Sequence, residues 1–176
     1  MSTQPARESE GADTHGFLGE EFLTWIWFRW ETTGGEFNLS GGRVIGIALD
    51  DFLAFAAPSD DETEQTLRRG LPTRTQEART ALRQGRRLKK ARLLIAEGAR
   101  QWSVTFDAPT MSLMGVKLPE DAEECESEQD RTADRSANWL ALHEIVQSLY
   151  AVFLKDRLKP DFLKTIAAQQ ATWMAS

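Results

Sequence analysis

The chain has 176 residues, of which 41% are hydrophobic and 27% charged, and its formal net charge is −6. This composition is typical of one globular domain with a single core. The one cysteine, Cys125, excludes an internal disulfide and a thiolate metal cluster, and no apolar run is long enough to span a membrane. We therefore expect a cytoplasmic protein without a secretory signal.

The N-terminal part predicts a polar leader followed by one helix. Residues 1–15 carry almost no large apolar side chain, so we expect a disordered leader there. Phe17–Trp30 is dense in apolar and aromatic residues, with acidic residues near its start, which favours a largely buried helix over a strand. Gly34 and Gly35 then end the helix.

The middle of the chain predicts an antiparallel sheet. The clearest hairpin joins 87–96 to 102–106 through a Glu97-Gly98 turn, because apolar residues alternate in both segments. The segment 60–69 fits either an edge strand or a loop. Further strands are predicted at 36–39, 43–49, 52–55 and 111–117.

Three helices complete the predicted fold. A basic helix over 74–84 begins with a capping box at Thr73 and ends at Gly85. After an acidic linker at about 119–131, a stripe of Leu142, Val146, Leu149 and Phe153 predicts a long helix over 133–158. Pro160 interrupts it before a short helix over 162–173, in a C-terminal segment covering 159–176. The fold class is α+β: an antiparallel sheet with hairpins, packed against an N-terminal aromatic helix, a middle basic helix and a long C-terminal helix.

The sequence contains no recognisable catalytic constellation. His143-Glu144-Ile145-Val146-Gln147 lacks the second histidine of a zinc-protease motif, and the glycines at 41, 42 and 46 match no phosphate-binding loop. The acid pairs Glu20-Glu21, Asp50-Asp51 and Asp60-Asp61 could hold Mg²⁺, but adjacent acids in solvated segments seldom do so. We expect no enzyme activity, no cofactor and no metal.

The tryptophans of the first helix pose a packing problem. Trp25, Trp27 and Trp30 cannot share one helix face at 100° per residue. Core packing, base stacking and a protein interface are the three interpretations. We expect Trp27 or Trp30 to lie in a homodimer interface, where large aromatic residues are enriched.

The distribution of charge is the most informative feature. Between Arg68 and Arg92 the chain has ten basic residues and one acid, Glu77, which gives a local charge of +9. Such a patch can neutralise several phosphates without reading the base sequence, which predicts a nucleic-acid surface. The competing interpretation is that these cations pair with the acidic linker or with an acidic partner protein. The predicted DNA-contacting residues here are Arg79, Arg83, Arg86, Arg87, Lys89, Lys90 and Arg92.

Several segments resemble the C-terminal half of the RdgC family, bacterial recombination-associated DNA-binding proteins. Phe17–Phe28, with the string FLTWIWF, resembles the opening of that half. The similarity covers about residues 16–158, and its other segments are Ala78–Leu88, Trp102–Asp107, Met111–Lys117 and Trp139–Leu154.

The resemblance implies a nucleoid-associated protein that binds double-stranded DNA without sequence preference and restrains a RecA-type recombinase. It assigns DNA contact to Arg86, Arg87, Lys90 and Lys117. Two departures are visible: Met114 stands where the family has a basic residue, and a polar leader stands where it has a strand-rich portion. The alternative is a protein-interaction module that keeps this fold without the family's ring or DNA binding.

Overall fold

The computed structural model describes residues 14–56, 64–68, 70–120 and 127–175, which form four α-helices and a six-stranded antiparallel sheet. The predicted α+β class is therefore confirmed. The helices are α1 Thr14–Thr33, α2 Gln76–Arg83, α3 Glu128–Arg157 and α4 Ile166–Ala175. The strands are β1 Glu36–Asn38, β2 Val44–Ala56, β3 Gln65–Arg68, β4 Arg87–Glu97, β5 Arg100–Asp107 and β6 Ser112–Lys117.

The sheet is built around the long strand β2. Its path runs β1-β2-β4-β5-β6, and β3 also pairs with β2. Gly46 pairs with Glu36 on one side and Ala96 on the other, while Leu53 pairs with Leu67 and Ala91. Strands β1 and β3 therefore follow each other along the same edge of β2. The segment 60–69, for which the sequence fits either an edge strand or a loop, contains strand β3. Residues 60–63 and 69 lie outside the described residues.

One face of the sheet forms the core. On β5, Trp102, Val104 and Phe106 are buried, as the predicted alternation requires. The intervening residues, Ser103 and Thr105, point to the opposite face and keep partial exposure. We call this opposite side of β2, β4, β5 and β6 the open face.

Helix α1 is buried on more than one side, which explains how tryptophans on different faces of the helix can pack. Trp25 packs against the rings of Phe37 and Phe153, at centroid distances of 5.4 and 5.7 Å. Trp27 is also fully buried, between Phe55 and Trp173. The prediction of Trp27 as an interface residue is thus wrong, because the sheet and α4 already cover it.

Trp30 is only partly buried and packs against the edge of the same core. Gly35, which follows the helix, lies so close to the Trp30 ring and the Ile47 carbonyl that a side chain there would clash. Its φ of +76° also favours glycine. The end of α1 and the start of β1 are therefore held tightly against β2.

Helix α2 starts two residues later than the capping box predicts. Thr73 is buried in a 3₁₀ turn, Pro72–Arg74, and the extended Thr75 is the cap instead, accepting the Ala78 N–H at 3.2 Å. The end at Gly85 is confirmed, with φ +75°. Hydrogen bonds from the N–H groups of Gly85 and Arg86 to the carbonyls of Leu82 and Ala81 close this terminus as a Schellman motif.

Helix α3 begins at Glu128 rather than 133, because Ser127 caps it by accepting the Asp130 N–H at 3.1 Å. The end of the predicted acidic linker is therefore helical. Ile145 is buried with Leu142, Leu149 and Phe153, so the apolar stripe is wider than predicted. The last helix starts at Ile166, after a series of turns that includes Phe162. Across the described ranges, no helix is long and apolar enough to cross a membrane.

Candidate nucleic-acid interface

The eight predicted DNA-contacting cations do not form one stripe. Four of them form ion pairs with carboxylates of the same chain. This agrees with one part of the competing interpretation, in which the basic block pairs with acids of this protein. The acids of these four pairs lie on α1, β2 and β5. The pairs are Arg79 with Glu31, Arg87 with Glu20, Lys90 with Asp107, and Arg92 with Asp51.

Arg79 serves the fold. Its guanidinium pairs with Glu31, lies 5.0 Å from the ring centroid of Trp173 and donates to the Trp173 carbonyl at 3.4 Å. These contacts join α2 to α1 and α4, and only about a quarter of the side chain is exposed. Arg79 is therefore not a member of the candidate interface.

Four of the predicted cations lie near the point in the chain where α2 ends and β4 begins. We call Arg83, Arg86, Arg87 and Lys89 the basic rim. Arg83 is exposed, and Arg86 and Lys89 are partly exposed. These three have no ion pair with any residue that the structure describes. Arg87 keeps 47% of its side chain exposed while its Nη1 lies 3.2 Å from Glu20. Most of the rim can therefore meet an external anion.

The remaining cations lie on the open face. Lys90 is opposite Asp107 in the register, and Arg92 is opposite Thr105, which places both side chains away from the helices. Lys117 is opposite Ser103 on the same face and is exposed. The ion pairs of Lys90 and Arg92, at 3.4 and 3.1 Å, partly neutralise two of these three cations. Met114, also on this face, is exposed.

A cleft adjoins the basic rim. It has a volume of about 320 Å³, and we call it the rim cleft. Its walls are mostly apolar, and four charged residues reach it: Glu20, Glu21, Arg86 and Arg87. The apolar lining comes from Leu82, Phe153, Phe162, Leu163, Ala167 and Met174. The sequence could not reveal this cleft, because its residues come from four helices, two connections and the start of β4.

The two acids of the cleft are both engaged. Glu20 is buried and pairs with Arg87. Glu21 accepts a hydrogen bond from Arg157 Nε at 2.8 Å. Burial, together with the negative charge of Glu21, raises the pKa of Tyr150 above its ordinary value.

The candidate metal pairs do not converge. Asp51 is held by Arg92, and Glu20 and Glu21 are held by arginines. Within the described ranges, no three His, Cys, Asp or Glu side chains are grouped so that they could hold a metal ion. His143 is exposed and stacks on Trp139 at a centroid distance of 6.1 Å. The pair Asp60-Asp61 and Cys125 lie outside the described residues.

No protein-family model, no curated protein and no solved structure matches this chain.

Proposed function

We propose that this protein is a non-enzymatic, sequence-independent DNA-binding accessory protein related to the RdgC family. The observation that carries the proposal is the basic rim, in which Arg83, Arg86 and Lys89 have no carboxylate partner among the described residues. Unpaired cations at a surface gain the most from phosphates, because binding releases the counterions condensed on DNA.

The proposal explains how DNA binding coexists with a net charge of −6. The rim is local, and the acids Glu20, Glu31, Asp51 and Asp107 are each already paired with a cation. At physiological ionic strength charges are screened beyond about 8 Å, so distant acids repel a bound duplex only weakly. Lys117, on the open face, would then be a second contact rather than a continuation of the rim.

The resemblance to RdgC supplies the proposed process: restraint of a RecA-type recombinase by occupancy of double-stranded DNA in the nucleoid. A homodimer belongs to the same proposal. Its contact would need accessible residues such as Trp30, because Trp27 is enclosed by its own chain.

The test is a salt titration of duplex binding by fluorescence anisotropy. Changing Arg83, Arg86 and Lys89 together to Ala should weaken binding at least tenfold at about 50 mM salt and flatten the slope of log K against log[salt] by about two to three. The matched control changes Arg131, Arg135 and Lys155, three exposed cations of α3, to Ala. It lowers the net charge equally and should keep most of the affinity.

Equal losses in the two triple variants would show that bulk charge, not the rim, attracts DNA. Binding by the unaltered chain that does not depend on salt would refute the proposal outright. A strand-exchange assay with a RecA-type recombinase then tests the process: the unaltered protein should slow exchange, and the rim variant should not.

A protein-interaction module is the second candidate, and one observation favours it. Trp139 and Leu140 on α3 are 40% and 67% exposed, beside exposed His143. Exposed aromatic and aliphatic side chains at one site are typical of protein contacts. If the contact is made with a second copy, Leu140→Glu should convert a dimer to a monomer in sedimentation experiments. Duplex affinity should stay unchanged in that variant.

A further inference from the structure

The rim cleft has the make-up of a small-molecule site. Its volume of about 320 Å³ lies at the lower end of the range for ligand pockets, and such pockets combine apolar walls with a few placed polar groups. Phe153 and Phe162 belong to the walls and are themselves buried, so this part of the lining is held by packing. The cleft is therefore a fixed cavity on that side.

The charged residues at the cleft favour a negatively charged ligand. Glu20 pairs with Arg87 and Glu21 pairs with Arg157. Arg86 is left as the one lining cation without an ion pair to a described residue. An anion placed beside Arg86 would meet a compensating charge, whereas a cation there would be repelled and would have to compete for carboxylates already paired.

The position of Arg86 is fixed by the chain. It directly follows Gly85, and its own N–H is bonded to the Ala81 carbonyl at 3.0 Å in the motif that ends α2. Leu82, one turn earlier in that helix, contributes to the apolar wall. A ligand with a carboxylate next to a short hydrocarbon tail could thus place its head at Arg86 and its tail along Leu82 and Phe162.

We propose that the rim cleft binds a small amphiphilic monocarboxylate, with its carboxylate on Arg86 and its alkyl chain between α2 and α4. This site is separate from the DNA contact in its apolar walls and in the class of its ligand, and it does not depend on the proposed function. Arg86 and Arg87 line the cleft and also belong to the basic rim, but Arg87 is already paired with Glu20.

The experiment uses octanoate as the probe, added to the full chain without nucleic acid and followed by isothermal titration calorimetry and amide chemical-shift mapping. One octanoate should bind per chain, with shifts concentrated at Leu82, Gly85 and Ala167. Acetate, which has the charge but no tail, and octylammonium, which has the tail but the opposite charge, should each bind at least tenfold more weakly.

Two variants test the assignment. Arg86→Gln should weaken octanoate binding at least tenfold, whereas Arg83→Gln, its exposed neighbour that does not line the cleft, should leave binding unchanged. Ala167→Phe should block the tail, and its circular dichroism shows whether it folds. Equal binding by octylammonium, equal effects of the two arginine changes, or octanoate shifts elsewhere on the chain would each overturn the proposal. None of these results depends on whether the rim binds DNA.

Discussion

The indole N–H of Trp173 donates to Glu31 Oε2 at 2.9 Å, joining residues that are 142 positions apart. The same carboxylate accepts the Trp27 indole N–H at 2.7 Å and pairs with Arg79. One acid of α1 thus holds its own helix to α2 and α4. Charge-assisted hydrogen bonds of this kind are stronger than neutral ones and also orient their donors.

Glu31→Ala should lower the free energy of unfolding by about 2–4 kcal/mol, because the buried Trp27 indole and the Arg79 guanidinium lose a charged acceptor. Urea denaturation followed by tryptophan fluorescence measures the change. Glu36→Ala, an exposed acid without an ion pair in the described part, is the control and should cost less than about 0.5 kcal/mol. A loss in Glu31→Ala no larger than in the control would show that the three donors find other partners.

Truncation to Ala should lower the free energy of unfolding much more at Trp27 than at Leu140. Trp27→Ala should cost about 3–5 kcal/mol, because it opens a cavity among Phe55, Trp173 and the rest of the core. Leu140→Ala should cost less than about 0.5 kcal/mol, since the side chain is largely exposed in the single chain. Thermal unfolding at low protein concentration separates these effects from association. A small loss of stability in Trp27→Ala would show instead that this tryptophan lies at the surface.

Glu97 should make folding stability depend on pH in the acid range. Although burial alone would raise its pKa, hydrogen bonds and charges from Arg43 and Arg100 outweigh that effect and hold the pKa below the ordinary 4.5. A lowered carboxyl pKa stabilises the folded state above the unfolded value, and this contribution disappears as the pH falls through the folded pKa. The difference in unfolding free energy between the unaltered chain and Glu97→Gln should therefore be largest near neutral pH and shrink below about pH 4.5. A difference that stays constant from pH 7 to about pH 3 would contradict the assignment.

Local signals were sufficient for most of the fold. The alternation through Trp102, Val104 and Phe106 correctly predicted β5 and its buried face, and Gly85 correctly predicted the end of α2. Errors occurred at helix starts, where two caps competed: Thr73 and Thr75 both have the right chemistry, and Pro72 decides between them by favouring a separate turn. Pro72 was thus a local signal that the capping-box prediction left out.

The candidate site was harder to predict, because counting charges along the chain does not show their partners. Lys90 and Arg92 appeared available, yet their acids, Asp107 and Asp51, come from neighbouring strands 17 and 41 positions away. The rim cleft depends on how four helices meet, which no periodicity encodes. Only the local excess of cations was visible in the sequence.

The outer strand β6 also bears on how the protein behaves at high concentration. Gly115 has φ +57°, and the pairing with β5 shifts register between Thr105 and Ser103, so the strand bends within six residues. An edge that bends and ends at a charged Lys117 offers another chain only a short, interrupted ladder of backbone groups. The irregularity therefore disfavours edge-to-edge pairing of chains into fibrils. A straight β6 would be a longer strand without that protection.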